Sequence, residues 1–503
     1  MILRCNLDTL NLFIYENGNI DLIRKGRKVE GKELKRRLVS GIASWSAAAL
    51  LMAGCNMGGG GDAEPKLKAL GKDEKATIKV MSTWDERIFN QQYGLLFYAK
   101  HPNIEIQVAS TQGAITYGPD TDVNAEFEKF IEEHNPDVLM LTPDLYERMV
   151  EKGKLYELES VIKQDKFDLA GIMPGVLDTI KTYSGGKLYG LAPNFNSQAL
   201  FYNKTLFERH GVPLPKDEMS WEELLELARR FPTTGDDSSR VYGFSLGNLD
   251  SVFRFAMMIG STKGLSFADP DTLTMTMNTD GWKKAAQLAL DSYKSNAIYR
   301  PNPNQQFRGG SMEEYYKQEP FIGGKVAMML SGTYYMESLK QAKTALKDDA
   351  PQWDLVTIPV DPNNPEGSPS SFNIGQIFAI NSQSPNLRAA WEFVKYINDA
   401  EYARVMSKSS SMTGSVTTRS EYFQDPEGRN VEAFYKIKGN SAAYNRSMAK
   451  LPQTFMGQLY PHAELEFKEV MEGKKSVDDA IQAIQERGQT ELTKAKQAKD
   501  LPK

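Results

Sequence analysis

The 503-residue chain has only two cysteines and four histidines. Two cysteines cannot build a disulfide framework, and Cys5 and Cys55 would flank a charged segment. Neither HExxH nor CxxC spacing occurs, so no zinc site is expected, and no metal or cofactor is assigned. A concentrated basic face is also missing. The net charge is −5, which gives no reason to expect nucleic acid as a partner. Beyond residue 55 no stretch approaches the ~18 uninterrupted apolar residues of a membrane span. No short repeat marks a solenoid. Gly58–Gly61 lack the Lys-Ser/Thr that a phosphate loop requires. What remains is an ordinary globular composition, 41% apolar and 25% charged, in a chain long enough for two or three domains.

Basic residues cluster once, from Arg24 to Arg37, directly before the uncharged run "LVSGIASWSAAALLMAG" (38–54). A basic region, an apolar region and a small-residue ending make a secretory signal. A retained membrane anchor is the alternative, but the run is slightly short and rich in Ser, Gly and Ala. Met52-Ala53-Gly54-Cys55 resembles the bacterial lipobox, with Met where Leu is usual. The resemblance implies a lipid on the Cys55 thiol and cleavage just before it. A thiol is nucleophilic enough to take such a group, and two acyl chains suffice for stable anchoring. The glycines after Cys55 and "DAEPKLKALGKDEK" read as a flexible polar tether ending at residue 75. Residues 1–28 have no secretory logic, so translation is expected to start downstream, at Val29.

After the tether, "ATIKVMSTW" (76–84) and "IEIQVAST" alternate as strands do. Between them "NQQYGLLFYAKH" reads as helical. "PDVLMLTP" (136–143) is a short continuous apolar run, as in a strand buried on both faces. Strands alternating with helices predict βαβ units and a largely parallel sheet. Within 187–231, "QALFYN" is a strand and "TLFERHG" a short helix closed by Gly211. Ser220 and Glu223 form a capping box before an amphipathic helix.

The ordered blocks "GKLYGLAP", "ALFYNK", "LFERHGVP", "WEEL", "GKVAMM", "GTYY", "FAIN" and "AAWEFVKYI" resemble the extracellular solute-binding proteins of ABC importers, in particular the sugar-binding group that includes maltose-binding protein. The resemblance covers nearly all of 76–495. It implies an α/β, two-lobe periplasmic-binding-protein-like (type II) fold, with discontinuous lobes joined by crossing hinge strands. One lobe would comprise 76–194 and 376–442, the other 195–375 and 443–503. Crossings are expected near Pro193–Ala199, Asn373–Phe378 and 441–447. The implied activity is capture of a small solute, an oligosaccharide being expected, and delivery to permease subunits and their ATPase, with the receptor lipid-anchored on the extracytoplasmic face of the cell membrane.

Candidate ligand residues combine strand-end placement with this resemblance. Trp84 and Asp85 end the first strand, where open α/β sheets bind ligands. Asp144 follows "LMLTP" and could instead cap a helix. Asn194 and Asn196 lie at the first crossing and Asn373 at the second. Tyr334 stands where related sugar binders often carry a stacking Trp, and Tyr460 occupies a comparable aromatic position. Gly375 suits a hinge or a turn. The rival class is a hydrolase: "GFSLG" (243–247) matches the G-x-S-x-G elbow, with Ser245 as nucleophile and His462 the only histidine after it. A structural surface lipoprotein is a third reading. "DTDVNAEFE" (120–128) begins like a calcium loop, but Ala125 replaces the turn glycine, so an acidic helix start is expected.

Overall fold

The computed structural model describes residues 66–71, 73–118, 121–232, 240–247, 249–301, 309–365, 372–408, 415–438, 448 and 450–500. Val29, the apolar run and Cys55 lie outside these residues. The strands in chain order are β1 (Ala76–Ser82), β2 (Ile104–Ser110), β3 (Val138–Leu141), β4 (Gly190–Leu191), β5 (Asn194–Asn203), β6 (Tyr242–Ser245), β7 (Ala268–Asp269), β8 (Thr274–Met275), β9 (Val326–Gly332), β10 (Trp353–Val356), β11 (Phe372–Asn373), β12 (Ile377–Ile380) and β13 (Val416–Thr417).

The first lobe is built on a sheet of order β2-β1-β3-β12-β4. β1 pairs in parallel with both β2 and β3, and β12 returns antiparallel to β3. All four residues of β3 are buried, as its unbroken apolar run predicts for a central strand covered on both faces. The helix Val123–His134 starts on Asp122, whose carboxylate accepts from the Ala125 N–H, so the acidic stretch is a cap. Thr142 plays the same part for the helix Pro143–Glu151.

The second lobe has the order β10-β5-β9-β6. The helix Lys204–His210 ends at Gly211, whose φ of 62° lies in the left-handed region that glycine enters without strain. The Ser220–Glu223 capping box is formed, and the helix it starts buries Trp221, Leu224 and Leu225 against the sheet. Two long C-terminal helices, Gln453–Met471 and Val477–Asp500, complete this lobe. Gln485 and Gln489 of the last helix bond the backbone of the β7–β8 hairpin, which fixes its register.

β5 joins the lobes. Its first residues pair with β13 and β11, and its remainder pairs with β9 and β10 of the second sheet. The chain returns through β11 and β12. A third passage runs beside the first: Thr418 bonds the carbonyls of Ala192 and Pro193. Beyond it the chain is already fastened to the second lobe. The Asn430 N–H donates to Asp354 at 3.0 Å, and its side-chain amide donates to Asp217 at 3.1 Å. Lys436 pairs with Asp217 at 3.0 Å. The 441–447 segment, where the third crossing is expected from sequence, lies outside the described residues.

The tether expectation needs one correction. Leu67 exchanges two hydrogen bonds with the Gln164 side chain, at 3.0 and 2.7 Å. Leu67 and Leu70 also pack on the first lobe's core. Two leucines in a polar stretch supply enough apolar surface to dock it, so residues 66–71 belong to the lobe.

Candidate functional site

β1 and β3 are parallel, and their C-terminal ends face the crossing strands, the position at which open α/β sheets expose residues to ligand. A cavity of about 210 Å³ opens there. Trp84 and Tyr93 come from the first lobe, and Pro193, Asn194, Phe195 and Asn196 from the first crossing. Gly375 and Gln376 come from the return, and Ser415 from the third passage. All three connections therefore meet at one pocket.

Trp84 is half-buried just past β1, its N–H bonded to the Ser82 hydroxyl at 3.0 Å. Its ring lies nearly parallel to that of Tyr93, with centroids 6.0 Å apart and planes 8° apart. Tyr93 owes its place to a widened helical turn, in which the Leu95 N–H reaches back five residues to the Asn90 carbonyl. A Cβ at Gly94 would lie 2.2 Å from the Asn90 side-chain oxygen, so a larger residue there would force that side chain to move. Tyr93 is buried, and burial raises its hydroxyl pKa far above the ordinary tyrosine value, with the neighbouring Asn194 side chain pulling the other way. It is neutral at physiological pH.

Asn196 faces Asn373 across the β5–β11 pair, which places Asn373 beside the pocket. Gly375 is free of left-handed strain, and a Cβ there would stand 3.7 Å from the Asn196 amide nitrogen. Its glycine leaves room in the cleft. Tyr334 is 61% exposed on the second lobe, two residues past the Gln198–Gly332 pair, next to the Thr333 N–H that bonds the Ser197 carbonyl at 3.0 Å.

Three candidates lie elsewhere. Asp85 caps the helix Glu86–Phe89, accepting from the Ile88 N–H at 2.8 Å. Asp144 is exposed in the first turn of its helix and is neither its cap nor a pocket residue. Tyr460 packs edge-on against Phe253 at 5.6 Å and under the Arg254 guanidinium at 5.1 Å, within the second lobe. Tyr93, Gln376 and Ser415 were not anticipated. Tyr93 sits in an apolar helical pattern that reads as core, and no local motif marks the other two.

The lining has a consistent chemistry. Among the described residues it contains aromatic rings, amides and a hydroxyl, and no ionisable carboxylate, ammonium, guanidinium or imidazole. A cavity of about 260 Å³ at the opposite end of the first sheet is different: Glu128, Lys152 and Lys154 line it, and Glu128 is paired with Lys152 and Arg148.

The hydrolase motif dissolves in the structure. Ser245 is 2% exposed at the end of β6, and its hydroxyl accepts from the Gly247 N–H at 3.1 Å. A Cβ at Gly243 would come within 2.0 Å of the Ala228 carbonyl, and Gly247 has a φ of 66°. Packing and turn geometry account for both glycines. His462 faces Glu466 within its own helix, Nε2 to carboxylate 3.8 Å.

The family of bacterial extracellular solute-binding proteins matches residues 75–404. An ABC transporter extracellular-binding protein of Pyrococcus horikoshii is 29% identical over 206 residues, 40% of this chain and 45% of that one. The chain spans about half the length of the curated relatives it matches. A sugar transporter structure from Rhizobium etli, in an open conformation, aligns over 82% of this chain and 98% of its own, with TM-score 0.54 and 20% identity. A sugar-binding protein from Xanthomonas citri aligns over 85% and 100%, with TM-score 0.55 and 17% identity. These structures share the two-lobe fold.

Proposed function

This chain belongs to the bacterial extracellular solute-binding proteins, a family of binding proteins and not of enzymes, and we propose that it is a carbohydrate receptor that holds an oligosaccharide in the cleft where the three connections meet. The observation that carries this reading is the uncharged lining. A sugar presents apolar ring faces and many neutral hydroxyls. Trp84 offers a face, and Asn194, Asn196 and Gln376 offer planar donors and acceptors. A polyamine would need carboxylates at the site, because a desolvated ammonium without a partner is strongly disfavoured.

Tyr334 on the second lobe meets the ligand as the lobes close, and the closed form is favoured only by the contacts it adds. Moving the equilibrium from 99:1 open to 99:1 closed takes about 5.5 kcal/mol of differential binding. We further propose that Cys55 carries a lipid holding the receptor on the extracytoplasmic face of the membrane, and that the bound sugar passes to the permease of an ABC importer, driven by its ATPase.

The test is calorimetry of residues 56–503 against maltotriose, isomaltotriose, cellotriose, xylotriose and spermidine, with small-angle scattering of each mixture. One or more trisaccharides should bind and reduce the radius of gyration. Spermidine binding without any trisaccharide overturns the reading. For the anchor, mass spectrometry of the membrane fraction should find Cys55 as a lipidated N-terminal residue, and an unmodified Cys55 there refutes it.

A further inference from the structure

We propose that Tyr93 is a positioning residue of the cleft, a side chain that sets the stacking surface Trp84 presents to ligand. The proposal rests on the carbohydrate reading for the ligand's identity, but the geometry behind it is independent of that identity.

Tyr93 is 1% exposed. Its ring lies nearly parallel to that of Trp84 and borders the same cavity, so it sets the tilt of the Trp84 ring there. Its edge meets Phe378 in β12, three residues past Gly375, with centroids 5.0 Å apart. Its other neighbour is Tyr402, stacked at 6.1 Å, whose hydroxyl donates to the Gln92 carbonyl at 2.9 Å. The ring is therefore clamped between the core of the first lobe and the return connection through β12.

The backbone is arranged for this. The five-residue turn at Asn90–Gly94 inserts one residue into an otherwise α-helical stretch and changes which side chains face inward after it. Such wide turns are less favourable than α-helix and occur often at functional sites. Here the widening puts Tyr93 beneath Trp84, and Gly94 leaves room for the Asn90 side chain. A residue serving only the core would not need the widened turn.

Two substitutions separate ring from hydroxyl. Tyr93→Phe keeps the ring, so the 19F resonance of 5-fluorotryptophan at Trp84 should stay at its wild-type position. Tyr93→Leu deletes the platform. In ligand-free protein the Trp84 resonance, assigned by its loss in Trp84→Phe, should shift and broaden, while that of Trp391 in the same lobe's core stays in place. A Trp84 resonance that moves in Tyr93→Phe, or one untouched in Tyr93→Leu, overturns the proposal. Movement of Trp391 together with Trp84 overturns it too, because it would mean general loss of packing. If no trisaccharide binds the wild type, the carbohydrate reading fails while the ligand-free resonances still decide the role of Tyr93.

Discussion

Arg419 and Arg429, ten positions apart in the chain, are held by opposite lobes. Arg419 is 2% exposed in the first lobe, where its guanidinium donates to the Asn398 carbonyl at 2.8 Å and pairs with Asp168 at 3.0 Å. Arg429 lies over the Trp353 ring of the second sheet, 4.0 Å from its centroid. The segment between them is the third connection, and both ends are pinned by cations. Arg419→Met strands two backbone carbonyls and a carboxylate, so it should destabilise the protein by about 2–3 kcal/mol. Arg429→Ala removes this cation–π contact and the ion pair with Asp425 at 3.0 Å, and should cost about 1–2 kcal/mol. Urea unfolding of the two variants checks the order.

Trp84→Ala should weaken trisaccharide binding by up to about tenfold, the size of one lost aromatic contact of about 1 kcal/mol or slightly more. The half-buried ring is not a central core element, so the thermal midpoint without ligand should move little. Calorimetry and a thermal melt give the two numbers.

Gly375→Ala separates space from hinge flexibility. Its backbone needs no glycine, and the new methyl meets Asn196 at ordinary contact distance. Stability should change by no more than about 0.5 kcal/mol. The methyl occupies cavity volume, so affinity should drop while closure, read by scattering at saturating trisaccharide, is retained. A variant that binds normally but no longer closes would assign the glycine to the hinge instead.

Asp165 gives a pH dependence with a definite sign. Burial pushes its carboxyl up, but bidentate Arg388 at 2.9 Å, the Trp391 indole N–H and Lys395 outweigh this and hold it below the ordinary aspartate value. The unfolded chain therefore takes up the proton more readily. The contribution is complete above about pH 4 and is lost as pH falls through the lowered value. Urea midpoints measured from pH 6 to pH 3 should decline at the acid end, and Asp165→Asn should start lower and decline less.

Gln164→Ala should release the docked segment. It removes both bonds to Leu67 and leaves the fold of the lobe alone. Hydrogen exchange at the Leu67 amide should speed up about fivefold or more, since a bond worth about 1 kcal/mol opens by about that factor. Cleavage between residues 66 and 75 by a nonspecific protease should rise with it.

The regular elements were readable because their signals are local. The alternation of β1 and β2, the apolar run of β3, Gly211 and the Ser220–Glu223 box each state their structure within a few residues. Strand ends pointed to Trp84, and the resemblance placed Asn194 and Asn196 at a crossing. Asp144 shows where such reasoning stops: Thr142, two residues earlier, is the better-placed cap. Tyr93 and Ser415 could not be found locally, since one depends on a change of helical pitch and the other on a long-range pairing with β5. Docking of Leu67 on Gln164 spans 97 positions and is equally silent in the sequence.

That docked segment sets a length scale for the receptor at work. With lipid on Cys55, as proposed, only residues 56–65 separate the membrane from the first lobe, and ten residues reach roughly 35 Å at most. A leash running to residue 75 would reach about twice as far and sweep about eight times the volume. Confining a receptor this way raises its effective concentration at neighbouring membrane proteins, a gain that falls steeply with leash length. On that proposal, two leucines and one glutamine would set how often a loaded receptor meets its transporter.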